Sequence, residues 1–473
     1  MGVEVRYYKI FFICFRLKRD CLKRIGLSIF VTLLFLLLVV GQESCTKDGN
    51  MVAGSVSGLE ASCDTLSFDT VFVSMGTATR QFKVYNRSHE GIRLTSVSLR
   101  NGRNSRFRIN VDGDTSMVVH DVDIAAGDSI FVFVRANIDP NDETMPFMVE
   151  DAVVFGSGDA AFEVRLTAYG RNAVYHHPKY RVVNPDGTFP KDVFGNYYDY
   201  SVIDCSDWDH SRPHVILGYG MVPSGETLNL MAGDEIYFYN DAVLWVYDGA
   251  SLNVQGTPDQ PVVFSSVRHD GWYDFLPGQW GYIWLSKGSK DNYVSHALIE
   301  NGYVGILADT NANGNPTLRV SNTVVRNHSL AGIIGQTAYI VGNNLLVHTC
   351  GTSALALQYG GRYDFTQCTF ANYWNYSTRK GSCVVLNNHY TYDGVEYLFD
   401  MAMARFTNCI VYGSWSEGEM VIDLDERVLH DVMINHSIVR GGDWDEDPMF
   451  VNPSERDFHL KEGSPAEGIG YLF

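Results

Sequence analysis

Val294-Ser295-His296-Ala297-Leu298-Ile299-Glu300-Asn301 returns as Val320-Ser321-Asn322-Thr323-Val324-Val325-Arg326-Asn327, and again as Val341-Gly342-Asn343-Asn344-Leu345-Leu346-Val347-His348. Phe365-Thr366-Gln367-Cys368-Thr369-Phe370-Ala371-Asn372, Phe406-Thr407-Asn408-Cys409-Ile410-Val411-Tyr412-Gly413 and Ile434-Asn435-His436-Ser437-Ile438-Val439-Arg440-Gly441 continue the series. The step is roughly 21–28 residues, apart from one longer step that carries a loop, and repeats of that length build solenoids. Each unit has a β-branched or aromatic residue, then a polar position, then a pair of large apolar residues, with no helical stretch. Stacked parallel strands lie about 4.8 Å apart, so equivalent side chains of successive coils sit above one another.

The polar column is predicted as His296, Asn322, Asn343, Gln367, Asn408 and His436. Neighbouring amides there can bond one another and the backbone at a bend, which satisfies groups costly to bury alone. Two apolar columns, Leu298/Val324/Leu345/Ile410/Ile438 and Ile299/Val325/Leu346/Phe370/Val411/Val439, are predicted to form a continuous core. The pattern reads as an all-β chain whose residues 214–473 form a parallel β-helix of roughly ten coils. A β-propeller blade needs about 40 residues, and no Trp-Asp signature recurs.

Upstream, short runs with period-two alternation read as seven strands: Thr65–Val73, Thr79–Tyr85, Ile92–Leu99, Phe107–Val111, Ser129–Ala136, Asp151–Phe155 and Phe162–Ala168. That many short strands in residues 61–172 match an immunoglobulin-like β-sandwich. The Cys-Trp-Cys signature of antibody domains is absent, so the likeness is to a spacer domain. Residues 45–60 are Gly/Ser-rich and read as a flexible tether, and 173–213 as a connector. His176-His177-Pro178 offers two imidazoles without a third ligand at metal-site spacing, so a plain loop is the simpler reading. Asp139, Asp142 and Glu143 share a loop that suits either calcium or solvent, solvent being the simpler case.

The chain of 473 residues carries a formal charge of −19. Such a surface repels phosphate backbones, so nucleic acid is excluded as a partner class. Hydrophobic residues make up 45% of it, enough for sizeable cores. The basic residues sit unevenly: Lys18, Arg19, Lys23 and Arg24 precede the apolar run Ile25 to Val40. This is the basic-then-apolar order of a secretory signal, too short for a membrane span of about 20 residues. Cys45 follows, then Lys47 and Asp48.

A small residue and then a cysteine just beyond the apolar run resemble a bacterial lipoprotein processing site, of the kind found in Bacteroidota lipoproteins. That resemblance implies residues 1–44 as signal, acylation of Cys45, and an address at the outer membrane or cell surface. Gln42 and Glu43 depart from the usual small-residue motif. Gly278-Gln279-Trp280-Gly281 after Pro261-Val262-Val263-Phe264 is similar to an early coil of right-handed β-helix lipoproteins of that group. Asp447-Pro448-Met449-Phe450, Asp457-Phe458-His459-Leu460 and Gly463-Ser464-Pro465-Ala466 resemble the closing coil of pectate-lyase-like β-helices. The resemblance implies a surface protein with a loosely glycan-related role and supplies no catalytic residue.

Cys63, Cys205, Cys350, Cys368, Cys383 and Cys409 are irregularly spaced with no CxxC pair, so they read as buried thiols. Aromatic residues in loops suit sugar stacking: Trp272, Trp280 and Trp284 in one group, Tyr373, Trp374 and Tyr376 in another, and Trp444 near the end. Core packing is the competing reading for each. The acids Asp423 and Asp425, which strict alternation puts on one strand face, and Asp443, Asp445 and Asp447 are the candidates for Ca2+ or for lyase and hydrolase chemistry. A solvated edge is the simpler reading of both groups, and no resident cofactor or metal is indicated. The sequence favours a non-catalytic surface module that binds glycan or another envelope or host component. A polysaccharide lyase or glycoside hydrolase is the alternative.

Overall fold

The computed structural model describes residues 51–72, 79–137, 147–156, 161–268, 271–310, 314–468 and 470. Cys45, the apolar N-terminal run and the Asp139, Asp142, Glu143 loop lie outside them.

The N-terminal unit is a β-sandwich. One sheet joins Met51–Ala53, Gly91–Leu99, Phe147–Phe155, Phe162–Arg171 and Thr65–Phe72, with Val118–Ile124 paired to Gly91–Leu99. The other joins Leu59–Ala61, Arg80–Asn86, Ser129–Ala136 and Phe107–Val111. Alternate residues point inward, and Phe68, Phe82, Phe107 and Phe155 fill the space between the sheets. Two features differ from the sequence reading. The tether region donates two edge strands, Met51–Ala53 and Leu59–Ala61, each held by a backbone ladder. Val118–Ile124 was not foreseen because Asp121 sits at φ 52°. This kink separates buried Val119 from buried Val122 by three positions, which breaks the two-residue period.

The second unit is a 24-stranded sheet, parallel from coil to coil except where Tyr180–Arg181 pairs antiparallel with Asp199–Val202. Three faces result. The first runs Val294, Val320, Gly342, Phe365, Phe406, Ile434 in register. The second runs Phe264, Ile299, Val325, Val347, Phe370, Val411, Val439. The third runs Leu244, Ile283, Ile306, Ile333, Leu355, Val384, Met420. These inward columns make one core that continues through the whole coil.

The register corrects the predicted columns by one residue at one coil. Val320 pairs with Gly342 rather than Val341, so Asn344, not Asn343, stands in the polar column. The reason is the backbone at the bend between the first and second faces. His296 (φ 51°), Asn322 (49°), Asn344 (49°), Gln367 (54°), Asn408 (55°) and His436 (48°) are all left-handed. Asn tolerates that conformation better than other residues bearing a Cβ, so the column is polar first because the corner demands it. Asn301, Asn327 and Thr349 turn the second corner in the same way, and Thr337 and Tyr359 the third.

Only one of the two predicted apolar columns lies in the bore. Leu298, Val324, Leu346 and Ile410 face outward and are half-buried, because strand neighbours alternate faces. Leu345 is the inward residue and pairs with Thr323. The outward column is covered at its C-terminal part by the hairpin of Phe450–Asn452 and Asp457–Leu460. Its Phe450 and Phe458 pack against Leu346, Tyr373 and Ile410.

The segment 173–213, expected as a connector, instead forms the first coil. Val174–His176 pairs with His214–Ile216, and Tyr200 to Val202 with Tyr219 to Met221. Ile203 and Trp208 close the bore at this end. Arg171 on the last sandwich strand forms an ion pair with Glu235 of the coil.

Asn344→Gly is expected to leave the urea midpoint within a few tenths of a kcal/mol equivalent, because glycine also accepts φ 49°. Asn344→Val at the same place is expected to cost about 1–2 kcal/mol, and matching midpoints for the two variants would remove the corner argument.

Candidate functional site

A groove of about 690 Å³ runs along the outside of the coil between the first corner and the C-terminal hairpin. One wall is the corner column His296, Asn322, Asn344 and Gln367. Its amides are laddered, with Asn344 Nδ2 donating to Asn322 Oδ1 at 2.8 Å. The floor is the outward row Val324, Leu346 and Thr369, and Pro258 also lines the groove. The other wall is Arg456, Asp457, Phe458 and His459.

That second wall is anchored from behind. Phe458 packs on His348 at 4.7 Å and edge-on to Phe450 at 5.2 Å. Arg456 donates to the Tyr376 hydroxyl at 2.6 Å and lies over the Phe275 ring at 5.1 Å. Tyr376 in turn donates to the Phe275 carbonyl, so three loops meet beside the groove. His459 Nδ1 lies 2.6 Å from Asp457 Oδ1, and this contact holds the Asp457 carboxyl below its usual range. The groove therefore offers stacked amides and imidazoles above an apolar strip, with one carboxylate among its described lining residues.

The aromatic candidates do not converge there. Trp280 is 1% exposed, stacks on Phe238 at 4.1 Å and donates to the Glu300 carbonyl, so it is core. Trp284 faces out on the third face, stacked on Trp245 at 5.4 Å, and donates to Asp309 at 2.9 Å. The first coil covers this patch through Tyr198, whose ring lies 6.4 Å away. Tyr373 is taken up by packing against Phe450 and Phe458. Trp374 donates to Ser377 and lies 4.9 Å from Tyr376, so this pair stays at the groove margin. Trp444 is half-buried at the far end of the coil. The backbone of Trp272 lies in the short helix Gly271–Phe275, and its side chain lies outside the described residues.

The acids separate too. Asp423 ends its strand, 3.4 Å from His389 Nε2. Asp425 falls beyond that strand, so alternation does not put the two on one face. Arg427 holds the Asp425 carboxyl well below the usual range by hydrogen bonding. Asp443 and Asp445 are exposed, and Asp447 caps the Met449 amide at 2.8 Å. Among the described residues no three metal-ligating side chains converge.

Sequence reasoning missed a buried pair. Arg379 Nη2 reaches both oxygens of Glu419, at 2.5 and 2.6 Å, and the Cys383 and Trp415 amides also donate to that carboxylate. Both carboxylate oxygens are occupied and the pair ties two coils together, while Arg379 Nε is left buried without a hydrogen-bond partner among the described residues. Buried imidazoles are likewise structural. His176 Nε2 lies 2.9 Å from His214 Nδ1, and Trp208 stacks on His214 at 3.5 Å. His177 stacks on Tyr175 instead, which separates the two imidazoles of that dipeptide. Burial, with His214 alongside, pushes His176 down to about 4. Burial pushes His328 to about 4 and His348 to about 3.

No protein-family model matches this chain, and no curated protein matches its sequence. Among solved structures, the Agl-KA catalytic domain aligns over 76% of this chain and 76% of its own, at 12% identity and a TM-score of 0.29. The catalytic unit of the thermostable GH87 α-1,3-glucanase from Streptomyces thermodiastaticus strain HF3-3 aligns over 75% of this chain and 74% of its own, at 14% identity and a TM-score of 0.23. The VesB protease of Vibrio cholerae aligns over 24% of this chain, at 11% identity and a TM-score of 0.17, and this chain spans 32% of it. Likeness at these scores carries no argument about activity.

The buried histidines set a pH dependence. Their folded values lie below the unfolded value of about 6.5, so unfolding takes up protons as pH falls from there towards 4. Stability is complete above about pH 6.5 and declines below it. Urea midpoints are expected to hold from pH 7.5 to about pH 6.5 and to fall from there to pH 5, where carboxylates contribute little; a profile flat down to pH 5 would mean the imidazoles are not held neutral.

Proposed function

We propose that this chain is a lipid-anchored surface protein whose β-helix binds an extended, neutral glycan without turning it over. The groove beside the first corner carries the reading. Val324 and Leu346 give an apolar strip for the C–H faces of sugar rings, and the stacked Asn322 and Asn344 amides give hydroxyl partners. A pyranose ring is close to one strand spacing, about 5 Å, so successive coils can meet successive sugars. The net charge of −19 disfavours polyanionic chains. Hydrolysis needs two carboxylates about 5–10 Å apart across the scissile bond. The described lining supplies one, Asp457, already engaged by His459. An immunoglobulin-like sandwich between the lipid and the coil would act as a spacer.

Glycine at Asn322 and Asn344 keeps the left-handed corner and removes the amides. On a glycan array followed by calorimetry, the double Asn322→Gly, Asn344→Gly variant is expected to bind at least about tenfold more weakly, or about 1.4 kcal/mol. Equal binding, no bound glycan, or released reducing or unsaturated sugars would each overturn the reading. For the anchor, detergent phase partition of the full chain is expected to move from the detergent to the aqueous phase in Cys45→Ser; an unchanged partition would remove the lipid.

A further inference from the structure

The C-terminal end of the coil is open. Inward positions are sealed wherever another coil follows: Leu386 and Phe406 are 0% exposed. Their register partners one coil later, Ile422 and Ile434, are 44% and 39% exposed. Met420, Ile422, Ile434, Val439 and Trp444 line the resulting mouth, a cavity of about 370 Å³. Met420–Asp423 pairs with Val384–Asn387 and His430–Asn435 with Met401–Thr407, and among the described residues no strand takes their outer edges. The second face is closed differently, by Val439 donating to the Trp444 carbonyl at 2.9 Å.

Sheet edges are normally blunted with Lys, Pro, bulges or a covering loop. Neither terminal strand contains Lys or Pro. What surrounds them is acid: Asp423, Glu426, Asp431, Asp443 and Asp445 are exposed, while Arg427 is already held by Asp425 and Glu396. A second copy docked end to end would bring two sets of those carboxylates together, which opposes self-association. The other end offers no matching mouth, because Ile203 and Trp208 are buried in the core there.

We propose that this end is a strand-addition site for a polypeptide segment that alternates apolar and basic residues. The backbone edge supplies ladder hydrogen bonds, the mouth takes the apolar side chains, and the rim carboxylates take the basic ones. The site is independent of the groove and of the glycan reading.

The test uses the full chain and fluorescence anisotropy with a short labelled peptide alternating Val and Lys. Binding is expected to weaken about tenfold in high salt and in Asp431→Lys, and to be lost in Ile434→Asp. Asp431 is exposed, so its variant keeps the fold and separates loss of recognition from loss of structure. The proposal is overturned by absent binding, by equal binding of a Val/Glu peptide, or by indifference to both substitutions. A concentration-dependent dimer in light scattering that Ile434→Asp abolishes would assign the end to a second copy instead.

Discussion

Parallel strands stacked in register place each side chain directly over its equivalent, and every other feature of the coil follows from that constraint. A corner repeated at the same place needs the same left-handed residue in each coil, so Asn, Gln and His recur as a column. An inward position repeated at the same place needs the same apolar character, so the bore forms one continuous apolar core. The polar ladder and the core are therefore two consequences of one geometry. Neither is a separate design feature.

The same constraint leaves two kinds of surplus. Outward columns are as regular as inward ones, and on the second face the outward column is apolar. Part of it is covered by the C-terminal hairpin through Phe450 and Phe458, and the remainder forms the groove floor at Val324. The coil also has to stop. It is closed at its start by Trp208 and left uncovered at its finish, where inward residues meet solvent. A solenoid whose stability is a sum of neighbour contacts is weakest at such an end.

Titratable groups with strongly shifted behaviour usually invite a catalytic reading. Here they do not carry one. His328 donates to the Ile299 carbonyl and accepts from the Gly302 amide, which fixes a corner. Burial that shifts a pKa also removes the group from any substrate.

The amino-acid sequence by itself determined the solenoid, its polar corner column and most of the sandwich strands, because period and residue type are local properties. The slip from Asn343 to Asn344 shows the limit: two adjacent asparagines are equivalent to a pattern, and only pairing with Val320 through Gly342 chooses between them. Which of two apolar columns faced inward, and that Trp280 was core while Trp284 faced out, depended on where each strand starts and so on which of its alternate residues meets the bore. The groove was beyond reach for a further reason. Its two walls, at Asn322 and His459, are far apart in the chain and meet only because the C-terminal hairpin folds back over the second face.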